Sequence, residues 1–113
     1  MQLTLISPRL ALQKGDFLGS GVPYWPLELV TLAAFAREQG DKISVLDLFG
    51  NEPTRLTDMD DHYLQGQPIT DHLNTEVVRN SEGFILYAIS YMSHQELLSI
   101  VSELKKVFPQ KMV

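Results

Sequence analysis

Cysteine is absent from this chain. That excludes disulfides, thiolate zinc sites and an iron–sulfur cluster from anything these residues build alone. Basic side chains are scarce: nine Lys and Arg stand against 14 Asp and Glu, a formal charge of −5. Such a balance supplies no basic stripe, so neither nucleic acid nor an anionic membrane surface is an expected partner. No apolar run approaches the roughly 18 residues a membrane-spanning helix needs. The opening M-Q-L-T-L-I-S-P has no basic region before its apolar part and no small-residue cleavage site after it. It reads as a strand rather than a secretory signal, and a cytoplasmic protein is expected.

What is present is enough for one core. The chain has 113 residues, 44% of them hydrophobic, which suits a single domain over 1–113. Gln2 to Ser7 is a short apolar run stopped by Pro8, the mark of a strand buried on both faces of a parallel sheet. Pro8 to Trp25 carries Gly15, Gly19, Gly21 and Pro23 and no periodicity, so a long loop is predicted. Pro26 suits the first turn of a helix running through Leu27 to Ala36, apolar enough to predict cover over most of its circumference. Arg37 complements the dipole at its end and Gly40 supplies the left-handed stop. Lys42 to Leu48 alternates and is β-branched, a second strand ending near Asp47. Strand, helix and strand in that order predict a right-handed parallel crossover.

Asn51 to Pro68 is polar and reads as loop with one helical turn. Ile69 to Asn80 predicts a helix capped by Thr70, with Leu73, Val77 and Val78 inward and Gly83 closing it. Phe84 to Ile89 is a third strand, apolar on both faces. Ser93 and Glu96 have the spacing of a capping box ahead of Leu97, Ile100, Val101, Leu104 and Phe108, a helix that Pro109 stops. Lys111 to Val113 resembles the start of a fourth strand. The whole predicts an α/β fold, a Rossmann-like (flavodoxin-like) parallel sheet with flanking helices, truncated at the fourth strand. An open fourth-strand edge normally pairs. The expectation is an N-terminal fragment of a longer protein, or a homo-oligomer formed through that edge.

In such sheets ligands bind beyond the carboxyl ends of the strands. That rule selects Ser7 to Leu10, Pro23 to Trp25, Asp47 to Asn51 and Ser90 to Ser93. The rim gathers Tyr24, Trp25, Phe49, Tyr91 and Met92, side chains suited either to a large flat ligand or to covering the core. Asp47 occupies the position of the acid that holds a ribose hydroxyl in dinucleotide domains. Gly19, Gly21 and Tyr24 form a broken phosphate fingerprint set too far from the first strand. His62 lies in an acidic loop, T-D-M-D-D-H, that lacks the spaced oxygens and Gly of a calcium loop. His72 and Glu76 stand four apart, a weak metal pair, and His94 falls in an exposed first turn. No nucleophile–base constellation emerges, so neither catalytic nor metal-ligating residues are assigned.

The stretch P-Y-W-P-L-E-L-V-T-L-A-A-F-A-R-E-Q-G-D-K-I-S-V-L-D-L-F-G, with A-I-S at Ala88 to Ser90, resembles the N-terminal cobalamin-binding domain of cobalamin-dependent radical S-adenosylmethionine enzymes. The resemblance extends over Gln2 to Val113, and its specific part is Pro23 to Gly50. It implies a corrin held against the carboxyl-end rim by Ser7, Pro8, Pro23, Tyr24, Trp25, Pro26, Leu27, Asp47, Leu48, Phe49, Ser90, Tyr91 and Met92. The D-x-H-x-x-G motif is absent after the first strand. Asp60 to Gly66 approaches it only after the second strand, with its Gly one residue late. The resemblance therefore implies base-off cobalamin with no His ligand. The C-x-x-x-C-x-x-C motif is also missing, so an iron–sulfur cluster and S-adenosylmethionine belong to a radical domain elsewhere in the parent chain. This chain is then a cofactor-holding module, not catalytic by itself. Two other readings stand beside it: a nucleotide- or small-metabolite-binding Rossmann-like domain, and an interaction domain without a small ligand.

Overall fold

The computed structural model describes residues 1–15, 26–88 and 93–113. Three parallel strands form the main sheet: β1 (Gln2–Ser7), β3 (Lys42–Asp47) and β6 (Gly83–Leu86), in the order β3-β1-β6. β1 is central because its side chains are buried on both faces. Leu3 and Leu5 pack against α1 (Leu27–Glu38) with Leu29, Ala33 and Ile43. Ile6 turns to the other side, with Val78 of α3 (Glu76–Asn80), Phe84, and Ile100 and Leu104 of α4 (His94–Val107). Thr4, a polar side chain beside Ile6 in that stripe, bonds the hydroxyl of Ser81 (2.5 Å), which donates to the Val77 carbonyl (2.9 Å). A buried hydroxyl without such partners would be strongly unfavourable. The α/β class and the parallel sheet thus agree with the reading of the sequence.

The end of α1 follows its punctuation. Gly40 sits at φ +95°. Its N–H reaches the Arg37 carbonyl (3.0 Å) and the Asp41 N–H reaches Ala36 (3.2 Å), a Schellman closure that satisfies the last carbonyls. The predicted cover does not follow. Leu29 and Ala33 are buried, but Leu27, Val30, Leu32 and Phe35 are exposed, because α1 lies on the sheet by one stripe only.

Four further expectations need correction. Part of the predicted loop after Pro8 is strand β2 (Leu10–Gln13). Within the predicted loop from Asn51 to Pro68 lie β4 (Leu56–Asp58) and β5 (His62–Gln65). Together they make a second, antiparallel sheet of order β2-β5-β4. Between β4 and β5 Asp60 takes φ +72°, and its N–H bonds the Asp58 carboxylate (2.9 Å), so aspartates fold the hairpin that glycine usually folds. The helix predicted over Ile69 to Asn80 is broken. A single 3₁₀ turn, Ile69–Asp71, is followed by turn residues, and α3 starts only after Thr75, whose hydroxyl donates to the His72 carbonyl (2.7 Å). Thr70 caps nothing there, and Val77 is exposed. The third strand is shorter than predicted, with Ile85 on an exposed position. Met112 makes an isolated parallel bridge to Gly83, alongside β6 where the fourth strand was expected.

Candidate functional site at the carboxyl ends of the parallel strands

Register brings the strand ends together. Ser7 pairs with Asp47, and Ile6 with Leu86, so β1, β3 and β6 finish side by side. Ser7 and Pro8 are buried at this rim. The chain then turns directly into α2 (Leu48–Asn51), for which Asp47 is the cap. Its Oδ1 accepts the Gly50 N–H (2.9 Å). A Cβ at Gly50 would collide with that carboxylate. Leu48 and Phe49 are interior, Leu48 in the core beneath α4. Pro26 is buried at the start of α1, and Leu27 is 71% exposed, the most open of the described rim residues. Pro23, Tyr24, Trp25, Ser90, Tyr91 and Met92 lie outside the described residues, as do Gly19 and Gly21.

One rim feature had no counterpart in the sequence reading. Arg9, immediately beyond β1, grips Glu96 of α4 with two bonds, Nε to Oε1 (2.6 Å) and Nη2 to Oε2 (3.0 Å). Both are buried. The expected capping box is therefore not made: Ser93 gives no side-chain cap, and Glu96 turns to Arg9 instead. The spacing located Glu96 correctly and misassigned its partner. Gly66, at φ +129°, lies against this corner. A Cβ there would fall 2.5 Å from the Leu48 carbonyl oxygen and 3.0 Å from Arg9 Cγ.

A groove of mixed character opens between this ion pair and the small sheet, lined by Arg9, Met59, His62, Leu64, Gln95, Glu96 and Ser99. His62 opens β5 rather than lying in a solvated loop, and its Nδ1 meets Asp61 Oδ1 (2.5 Å). That bond holds the Asp61 carboxyl below its usual range and leaves the imidazole Nε2 for another partner. Nearby, Lys14 pairs with Asp58 (2.7 Å) and lies over the Tyr63 ring (5.1 Å). The lysine is held above its usual range, chiefly by its hydrogen bond to that carboxylate. Among the described residues no three His, Cys, Asp or Glu side chains come together as a metal-holding group. Nor, among them, is any helix long and apolar enough to cross a membrane.

The site thus belongs to an α/β protein with a three-stranded parallel sheet, its strand ends aligned and a small antiparallel sheet standing beside them. Comparison with family models, with curated proteins and with solved structures finds no match.

Proposed function

We propose that the carboxyl-end rim of the parallel sheet holds cobalamin in its base-off form, and that this chain is the cofactor-holding module of a radical S-adenosylmethionine enzyme. The radical domain, its iron–sulfur cluster and S-adenosylmethionine belong to the parent protein. The observation that carries the reading is the Ser7–Asp47 pairing at the end of a sheet ordered β3-β1-β6 with Met112 beyond. In sequence order of the parallel strands this is 2-1-3 with an isolated bridge alongside the third, the flavodoxin-like winding, which opens its ligand crevice beyond the strand ends. The resemblance of Pro23 to Gly50 names the ligand.

The described residues suit a corrin in two ways. Leu27 offers an exposed apolar side chain at the start of α1, and Pro8, Leu48 and Phe49 are buried where the strands β1 and β3 end. Asp47 uses Oδ1 on its own helix, and its second oxygen can accept an amide N–H from the ring's side chains. When bound, cobalamin would supply a methyl group or assist radical chemistry. The chain's part is to bind and orient it.

The test is reconstitution of the folded chain with hydroxocobalamin, removal of unbound corrin, and a visible spectrum. Retained corrin absorbance of the base-off type is expected, unchanged in His62→Ala and His94→Ala and reduced in Asp47→Ala and Trp25→Ala. A folded sample that retains no corrin overturns the reading. A second reading, a nucleotide or small-metabolite site, is favoured by the carboxylate at the end of the second parallel strand. Thermal shifts against adenine nucleotides separate the two.

A further inference from the structure

Among the described residues β3 ends its sheet, with β1 on one side only. In a parallel pair, successive residues of a strand alternate between turning their backbone groups toward the neighbour and away. The Lys42 N–H bonds Met1 across the ladder (2.8 Å), so Lys42, Ser44 and Leu46 face β1. Ile43, Val45 and Asp47 face outward. The Ile43 carbonyl shows this directly. It is bonded not by a strand but by the Arg37 guanidinium, from Nη2 (2.7 Å) and Nε (3.2 Å). No comparable bond covers Val45 among the described residues. Beside this edge runs a groove lined by Ser44, Leu46, His72, Thr75 and Val77.

We propose that this edge pairs with the same edge of a second copy of the chain, antiparallel about a two-fold axis at Val45. Outward-facing residues must meet outward-facing residues, so Val45 faces Val45 and Ile43 faces Asp47 of the second copy. Side chains alternate along a strand, and Ile43 and Val45 lie on the α1 face. Asp47 of the second copy therefore arrives on that face, where Arg37 stands. Its N–H takes over the Ile43 carbonyl, and its carboxylate receives the guanidinium. A neutral acceptor is exchanged for a charged one, twice by symmetry. The same axis brings the two α1 helices onto one face of a six-stranded sheet. The exposed stripe beside Arg37, carrying Leu27 and Val30 at helical spacing, then meets its own copy. The charge match, the open Val45 groups and that apolar stripe all select a second copy as the occupant, and the pairing stands independently of the ligand.

Sedimentation equilibrium of the chain from micromolar to near-millimolar concentration, with hydrogen exchange at both ends of the range, tests it. A monomer–dimer equilibrium is expected, with exchange slowed at Ile43 and Val45 in the concentrated sample and unchanged at Leu86, whose N–H faces away from β1 on the other edge. Arg37→Ala and the isosteric Asp47→Asn, each shown folded by circular dichroism, should weaken association by about two- to thirtyfold, as two partly exposed ion pairs would. A chain monomeric throughout overturns the proposal, and so does protection at Leu86 rather than Val45. Tighter association of Arg37→Ala overturns it too, because that marks a side chain guarding the edge.

Discussion

Arg9 and Glu96 are 87 positions apart, and among the described residues each is a buried charge compensated by the other. Removing one partner strands the other in a low-dielectric corner. Glu96→Ala should therefore lose about 3–5 kcal/mol in chemical denaturation, whereas Arg9→Met with Glu96→Leu should stay close to wild type. A double change as damaging as the single one would refute that account. The pair ties the exit of β1 to the first turn of α4, so the penalty belongs to the geometry of the rim. Its partnership was invisible in the sequence for a physical reason. Local spacing gives Glu96 an attractive partner three residues away, and nothing local reports an arginine arriving from the far end of the chain.

At the scale of elements, burial within one helix separates two leucines of identical chemistry. Leu29 is 2% exposed beneath α1 and Leu32 is 43% exposed on its flank. Leu29→Ala should lower stability by about 2–5 kcal/mol and Leu32→Ala by less than about 1 kcal/mol, read as denaturation midpoints. Composition alone gave both the same fate, since a continuous apolar run carries no phase. Strands β1 and β3 and helices α1 and α4 were legible because glycine and proline bracket them and their apolar runs or periods are unbroken. The small sheet was not. Leu56-Thr57-Asp58 is too short to show alternation, and its hairpin turns on Asp60, whose left-handed backbone is stabilised by a neighbouring aspartate rather than announced by glycine. The same acidic cluster drew attention as a cation loop when its work is to fold a turn. At the site, register fixes the positions of Ser7 and Asp47, which the strand ends had already indicated. The interior placement of Leu48 and Phe49 depends on a helix turning inward directly after β3.

Across the whole molecule the two sheets differ in kind. β1 is hydrogen-bonded on both sides and sealed by core on both faces. The β2-β5-β4 sheet is antiparallel, with half-buried or exposed side chains over most of its length. Native-state hydrogen exchange should find the β1 amides slowest and those of β4 much faster, as stability concentrates where apolar contacts are dense. Equal protection of the two sheets would mean that they open as one unit.

The central place of β1 also has a history in time. A strand made first acquires its second neighbour last: β3 follows within one crossover, but β6 begins only at Gly83. At synthesis rates of about 5–20 residues per second, the stretch from Lys42 to Gly83 takes roughly 2–8 s to emerge. During that interval one side of β1 is unpaired, and the Thr4 hydroxyl waits for Ser81, its partner in the finished core. A nascent chain with its most deeply buried strand open on one side is a substrate for whatever attends the ribosome exit, and the arrival of Ser81 to Leu86 is the moment at which that exposure ends.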